Sequence, residues 1–263
     1  MNEVLGRVAG HFASPSLYQL APLDQLHIGG IKASERLLKL LDPEHHRRVL
    51  DIGSGAGGLM RQATLSGFTL VGVDITHDLN RLNRGLSGLA QPGRTPPLVT
   101  ADASALPFAD DSFDAVLFQH SFLNMPDTVK VLGECRRVLH RGGVIVMHEV
   151  VSGPQHEQLR FPVPWASHGA HSCLQSAAAL SSLLEDSGFH IVHWRDWSEE
   201  ALVWRQRQRV KEAAANASED SSRPAPALSP QLIFGSRFME MGKNLLVNLE
   251  TEAIRVVEIK ASC

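Results

Sequence analysis

The chain has 263 residues, enough to bury a full core as one large domain with an insertion, but not as two equal domains. Its 25 Lys and Arg stand against 28 Asp and Glu, a formal charge of -3, which leaves no overall electrostatic footprint for nucleic acid or an anionic membrane and points to a small partner. No run approaches the roughly 18 apolar residues of a membrane helix, and the start MNEVLGRVAG lacks the basic and apolar regions of a leader, so a cytoplasmic protein is expected. Cys135, Cys173 and Cys263, odd in number and far apart, suit reduced thiols rather than a disulfide framework or a zinc site.

From Met1 to about Pro43 the pattern is helical, ending in a helix opened by Gly29-Gly30 that carries Ile31, Leu37, Leu38, Leu40 and Leu41. Lying ahead of the first strand, residues 1–43 can fold over a ligand as a lid, with Tyr18, Gln25 and His27 as candidate polar contacts. The strand Arg48 to Ile52 runs into Gly53-Ser54-Gly55-Ala56-Gly57-Gly58. Such a loop turns tightly and lets backbone N–H groups approach a bound molecule, and a helix from Leu59 to about Ser66 would present its positive end there. Thr69 to Val73 forms a second strand ending in Asp74, where a carboxylate can accept hydrogen bonds from two ribose hydroxyls. Gly53, Gly55 and Gly58 satisfy G-x-G-x-x-G, with Asp74 at about the spacing of a dinucleotide site, so that ligand stays open. Asp51 weighs against a pyrophosphate and for a ligand bearing an ammonium or sulfonium, which favours S-adenosylmethionine.

Leu98 to Ala101 reads as a third strand ending in Asp102-Ala103, where Asp102 could accept from an adenine amino group, and Ala115 to Phe118 as a fourth ending in Gln119-His120. A helix over Asp127 to Leu139 stops at Gly142-Gly143, and Val144 to Met147 is a fifth strand. The alternation implies a doubly wound parallel α/β sheet that binds ligands outside the carboxyl ends of its strands. Residues 151–175, with three prolines, three histidines, Phe161 and Trp165, form a loop too long for a simple connection. A helix over Ser176 to Ser187 and a sixth strand, Phe189 to Trp194, follow. The helix from Ser198 to about Ala215 carries Arg205, Arg207, Arg209 and Lys211 around a solvated face rather than in one basic stripe. Asn216 to Ser229 reads as a mobile connector, Pro230 to Leu249 as a helix with Phe234, Phe238, Met239 and Met241, and Ala253 to Ile259 as the last strand. Residues 196–250 would thus form a helical cap between the sixth and seventh strands of a single domain.

VLDIGSGAGG, Asp74, ADASALPFADDSFDAVLFQH, RRVLHRGGVIVMHEV and the C-terminal strand together resemble the class I S-adenosylmethionine-dependent methyltransferases in order and spacing, from about residue 25 to the end. DQLHIGG, FPVPWA and the helices after GFHIVHWRDW are similar to the small-molecule branch that includes bacterial sarcosine and dimethylglycine methyltransferases and ubiquinone-type methyltransferases. The resemblance implies a Rossmann-like, seven-stranded, mostly parallel sheet with an antiparallel C-terminal strand. It also implies that Gly53, Ser54 and Gly55 line the methionine moiety, that Asp74 with Ile75 holds ribose and adenine, and that Asp102-Ala103 meets the adenine. Gln119 would lie under the sulfonium, with Gln25 and His27 closing over the cofactor, which is released as S-adenosylhomocysteine. The family's Gln-Asp after the fourth strand, with a His four positions on, is replaced by Gln119-His120 and Asn124, so its amine substrates do not carry over.

Methyl transfer from a sulfonium gains chiefly from holding the acceptor in line, worth about 7–11 kcal/mol. A phenol would gain a further 10²–10⁴-fold or so from a positioned base, and His120 is the candidate, with a ring that merely orients Gln119 as the alternative. Trp165 could stack on a planar acceptor, and His168, His171 and the apolar Phe238 are further acceptor-side candidates. A metal site is not expected, since His190 and His193 point to opposite faces of a strand and His168-x-x-His171 could chelate only if the loop turned back. Tyr18, the single tyrosine, precedes the nucleotide fold, which removes the Tyr-x-x-x-Lys relay of a reductase; the absence of an Asn/Asp-Pro-Pro-aromatic tetrad disfavours a nucleic-acid substrate. The expected activity is methylation of nitrogen or oxygen on a small metabolite, with carbon as acceptor and a non-catalytic cofactor-binding protein as alternatives, in a monomer or homodimer.

Overall fold

The computed structural model describes residues 2–217 and 228–263, without the side chains of 215–217, so most of the expected connector at Asn216 to Ser229 lies outside the described residues. Three helices precede the sheet: α1 (Asn2–His11), α2 (Leu17–Asp24), closed at its start by a Ser16/Gln19 capping box, and α3 (Ile31–Lys39), whose buried stripe is Ala33, Ser34, Leu37 and Leu38. Then come β1 (Arg48–Ile52), α4 (Gly58–Leu65), β2 (Thr69–Asp74), α5 (His77–Ala90), β3 (Leu98–Thr100), β4 (Phe113–Gln119), α6 (Thr128–Val138) and β5 (Leu139–Ser152). The chain continues through α7 (Ala177–Asp186), β6 (His190–Asp196), α8 (Ser198–Ala217), α9 (Gln231–Phe234), α10 (Phe238–Glu250) and β7 (Ile254–Ser262).

The seven strands pair in the order β3-β2-β1-β4-β5-β7-β6, all parallel except β7, which runs antiparallel to both its neighbours. Alternate residues of the central strands feed opposite faces: Leu50, Ile52, Val116, Phe118, Ile145 and Met147 pack with α6 and α7, whereas Val49, Ala115, Leu117, Val144 and Val146 pack with α3 and α4. The chain leaves β1 toward β2 on one side, while β4 lies on the other, so the crevice at their carboxyl ends is the topological switch point of the sheet. Helices α1 and α2 close against α4 and α5 through Val8, Leu20, Leu23, Leu82 and Leu86.

The structure corrects several sequence expectations. Strand β5 does not end at Met147; it continues through His148 and Glu149 to Ser152, because Val150 and Val151 pair with β7 and keep the polar pair inside the sheet. The helix expected over Pro230 to Leu249 breaks at Gly235, which takes φ +72, and restarts as α10 after one 3₁₀ turn. Arg205 does not belong to a solvated face. It is 4 % exposed, donates from Nε to Gly242 O at 2.9 Å and forks onto Glu212 at 2.7 and 2.8 Å, tying α8 to α10. Among the described residues no helix is long and apolar enough to cross a membrane.

Candidate active site

The end of β1 is built for close approach. Gly53 takes φ +80, and a Cβ there would lie 2.3 Å from Ser121 Cβ, so glycine is what lets the loop cross the end of β4. A Cβ on Gly58 would lie 2.3 Å from Asp24 O, where the end of α2 rests on the start of α4. Gly55 is different: the nearest atom to its Cβ position is 3.9 Å away, and its N–H donates to Asp74 Oδ2 at 2.9 Å. Thr76 N–H donates to the other carboxylate oxygen at 2.8 Å, which fixes Asp74 while leaving each oxygen a free lone pair. Ile75, 68 % exposed, and the buried Ala103 flank it at the ends of β2 and β3. Asp102 is exposed and its Oδ1 accepts from Ser104 N–H at 2.8 Å.

Two residues of this loop sit differently from the sequence expectation. Ser54 turns its hydroxyl toward Gly72, whose Cβ would lie 2.8 Å from Oγ, and this hydroxyl has no partner among the described residues. Asp51 does not stand open at the mouth of the loop. It is buried, and burial, with the Asp74 charge adding to it, pushes its carboxyl up to about 7, so the proton competes with any cation for this oxygen pair.

Behind the loop, Arg61 is 1 % exposed and donates from its two terminal nitrogens to Asp24 Oδ2 (2.6 Å), Ser87 Oγ (2.8 Å), Asn83 Oδ1 (3.2 Å) and Ala56 O, while Nε has no partner among the described residues. This ion pair fastens α2 to the helix that follows the glycine loop. At the other end of the same segment Ser34, also fully buried, has its Oγ 2.7 Å from Gln25 Oε1, 3.1 Å from Gln119 Oε1 and 3.3 Å from His27 Nε2. One hydroxyl on α3 therefore links the two residues expected to close over the cofactor with the residue expected beneath the sulfonium.

Beyond Gln119 lies a cluster of imidazoles. His120 takes φ +54, a conformation few side chains adopt and one that turns the strand end out of the sheet. Its ring stacks on that of His148 with centroids 5.0 Å apart and an interplanar angle of 23°. His27 stands 5.8 Å from His120 and 6.2 Å from His148, and Trp197 meets His148 edge-on at 5.2 Å. Burial, opposed by the Gly30 carbonyl, holds His27 down to about 4; burial with His27 and Arg36 nearby holds His148 down to about 3. Burial and the other two rings keep His120 well below its ordinary value. All three are thus neutral imidazoles at neutral pH, each with one donor and one acceptor nitrogen. Glu149 supports the same strand end: its Oε1 accepts from Ser121 and Phe122 N–H at 2.9 and 3.0 Å, while burial raises its carboxyl to about 7.

Twelve buried side-chain polar atoms have no partner among the described residues, and six of them belong to Gln119, His120, His148, Glu149 and Trp197 at the carboxyl ends of β4 and β5 or beside them. The other six belong to Asp24, Asp51, Ser54, Arg61, Asn80 and Gln175, and because buried polar groups are usually paired, the concentration at these strand ends makes them the candidate site. Among the described residues no group of three or more His, Cys, Asp or Glu is arranged to hold a metal ion.

Of the expected acceptor-side residues, the structure brings His120 to this cluster. Tyr18 is 75 % exposed on α2; His168 is exposed, its ring against His171 at 3.9 Å; Phe238 stacks on Phe234. Trp165 joins the apolar wall that includes Leu123, Val150 and Trp197, with its Nε1 donating to Ser172 Oγ at 3.1 Å. Ser34, His148, Glu149 and Trp197 are not foreseen by the sequence reading. The available signal for His148 is its register position opposite Gln119, which requires the length of β5 to be right.

Residues 50–147, from β1 to the middle of β5, match the family model described as a methyltransferase domain. The chain is 32 % identical over 145 residues to methyltransferase GfsG of Streptomyces halstedii, covering 54 % of this chain and 50 % of that protein. It is 30 % identical over 191 residues to 24-methylenesterol C-methyltransferase 2 of rice (Oryza sativa subsp. japonica), covering 67 % of this chain and 50 % of the relative. The chain therefore spans about half the length of these two relatives. Among solved structures, a putative sarcosine dimethylglycine methyltransferase from Galdieria sulphuraria superposes with a TM-score of 0.67 at 19 % identity, over 88 % of this chain and 85 % of that one.

Proposed function

We propose that this chain, which matches a methyltransferase domain over residues 50–147, is a class I S-adenosylmethionine-dependent methyltransferase that methylates nitrogen or oxygen of a small, apolar-bodied metabolite. When bound, S-adenosylmethionine supplies a methyl group on a sulfonium, lost by in-line displacement to leave S-adenosylhomocysteine. In this reading the backbone of Gly53, Ser54 and Gly55 lines the methionine moiety, Asp74 with Ile75 holds ribose and adenine, and Asp102-Ala103 borders the adenine. Gln119 lies beneath the sulfonium, and Gln25 and His27, joined to it through Ser34, close over the cofactor. Asp51 contributes a carboxylate that a neighbouring cation would draw into its charged form.

The observation that carries the reading is a carboxylate held by two N–H groups, Asp74 at the end of β2, on the same edge of the sheet as the neutral, unpartnered donors and acceptors at the ends of β4 and β5, beyond β1. The first suits a ribose; the second suits a neutral acceptor beside a positive charge, since an imidazolium there would repel a sulfonium. His120 can take the acceptor's proton, although its low basicity restricts it to acceptors that become acidic as the methyl arrives. Carbon as acceptor is the second reading, favoured by the likeness to a relative named for C-methylation. Incubation with methyl-labelled S-adenosylmethionine and a fractionated metabolite extract tests the proposal. Label should enter the small-molecule fraction; label in protein or nucleic acid, or none despite cofactor binding, would overturn it.

A further inference from the structure

Between β3 and β4 the chain has no regular structure, yet one residue of this connection, Leu106, is held at both its backbone groups. Its side chain is buried, its N–H donates to Glu134 Oε2 at 2.7 Å, and its carbonyl accepts from Arg137 Nη2 at 2.9 Å. Arg137 forks onto the same carboxylate, Nε to Oε1 and Nη2 to Oε2, both at 2.8 Å. Its Nη1 donates to Phe108 O at 2.7 Å and to Asp110 Oδ1 at 2.8 Å. All five N–H groups of the guanidinium are therefore committed, three to the loop and two to the carboxylate that holds Leu106 N–H. The carbonyl of Arg137 also accepts from Asp111 N–H at 3.1 Å.

An exposed ion pair by itself orders little. Here the pair serves backbone groups that no strand ladder serves, and what it pins is the end of a turn. Asp102 Oδ1 accepts from Ser104 N–H at 2.8 Å and its carbonyl from Ala105 N–H at 3.0 Å. The turn from Asp102 to Ala105 thus runs from the end of β3 to the tethered Leu106. On α6, Lys130, Glu134 and Arg137 are spaced i, i+4 and i+7, along one side of the helix. Hydrogen bonds from Ser104, with the Lys130 charge adding to them, hold the Asp102 carboxyl below its usual range. We propose that the Glu134–Arg137 fork is the positioning element for Asp102, and that through the loop it sets the preference of the site for a 6-aminopurine. This rests on the methyltransferase reading, in which Asp102 borders the adenine. A 6-oxopurine would turn a carbonyl oxygen toward the carboxylate instead of an amino group, and would be disfavoured wherever Asp102 is held in place.

The test is calorimetric titration of the full chain with S-adenosylhomocysteine and with S-inosylhomocysteine, its 6-oxopurine counterpart. The wild type should prefer the first by about tenfold or more, the worth of a hydrogen bond to a charged group. Arg137→Gln and Glu134→Ala should abolish most of that preference by weakening S-adenosylhomocysteine, with S-inosylhomocysteine bound as in the wild type. Arg137→Lys, which keeps the charge but not the fork, should fall between. Arg48→Gln removes a comparable fork, onto Asp114 at the amino end of the sheet, and should leave the preference unchanged. Melting curves identify the folded variants. Asp110→Ala, which cuts one tie at an exposed carboxylate and leaves the core untouched, should lower the preference by about twofold even if Arg137→Gln does not fold. An unchanged preference in the folded loop variants, an equal loss for both ligands, or the same collapse in Arg48→Gln would overturn the positioning role alone. A wild type that binds both ligands alike would overturn the placement of Asp102 at the adenine and the proposal with it; one that binds neither would overturn the methyltransferase reading.

Discussion

The two halves of the crevice pair their buried polar groups to different extents. Around α4, Asp24, Arg61, Asn83 and Ser87 exchange close hydrogen bonds with one another and with backbone, and the carboxylate of Asp74 is held by two N–H groups. Across β4 and β5, Gln119, His120, His148 and, beside them, Trp197 leave five buried nitrogens unpaired, against Asp24 Oδ1 and Arg61 Nε in the first group. Satisfied burial holds a shape; unsatisfied burial is a standing cost, tolerated where a ligand removes it. The segment before β1 touches both, through Asp24 on one side and His27 on the other, so folding the first half positions the second.

That contrast can be broken most strongly at Asp24. Asp24→Ala strands a buried guanidinium, and urea unfolding should show a loss of about 3–5 kcal/mol; a loss below about 1 kcal/mol would make the pair ornamental. Asp74→Ala should leave the fold intact but weaken S-adenosylmethionine binding by about 1.5–3 kcal/mol, the worth of hydrogen bonds to a charged group. Equal calorimetric affinities would remove Asp74 from the cofactor site.

Asp51 sharpens the electrostatics. Its carboxyl is raised to about 7 in the ligand-free chain, and a bound cation favours the charged form, so binding releases a proton. Affinity for S-adenosylmethionine should therefore climb as pH rises toward 7, by no more than about tenfold per pH unit, and level off above it. S-adenosylhomocysteine, without the sulfonium, should follow the trend weakly, and Asp51→Asn should flatten it for both; parallel slopes for the two ligands in the wild type would show that the sulfonium is not near Asp51.

The smallest expected effect is on the unsatisfied side. His148→Phe exchanges a ring with two unpaired nitrogens for an apolar one of similar size, and stability should stay within about 1 kcal/mol of wild type or rise. A loss comparable to that of Asp24→Ala would mean that His148 is part of the scaffold.

The sheet and the glycine loop with Asp74 are legible in the sequence because their signals are local. Val49 to Ile52 is an apolar run that ends in glycines, and Asp74 closes the next run at a fixed distance. The imidazole cluster at the ends of β4 and β5 depends on register. His148-Glu149 reads as a polar exit from a strand, and only pairing with β7 beyond it shows that the strand continues and sets His148 beside Gln119. Ser34 looks like a neutral residue on an amphipathic helix, and its three contacts come from segments 7 to 85 residues away in sequence. Tyr18 shows the reverse error: an aromatic residue in a lid segment suggests contact with a ligand, but the buried face of α2 is Leu20 and Leu23, and the ring lies outside.

Calorimetric titration of the purified chain with S-adenosylmethionine, S-adenosylhomocysteine, NAD and NADP tests the central claim most directly. Binding of the first two in the micromolar range, with no heat from either nicotinamide, is the predicted result. Binding of a nicotinamide alone would contradict the assignment of Asp51 and Asp74, and the methyltransferase reading with it.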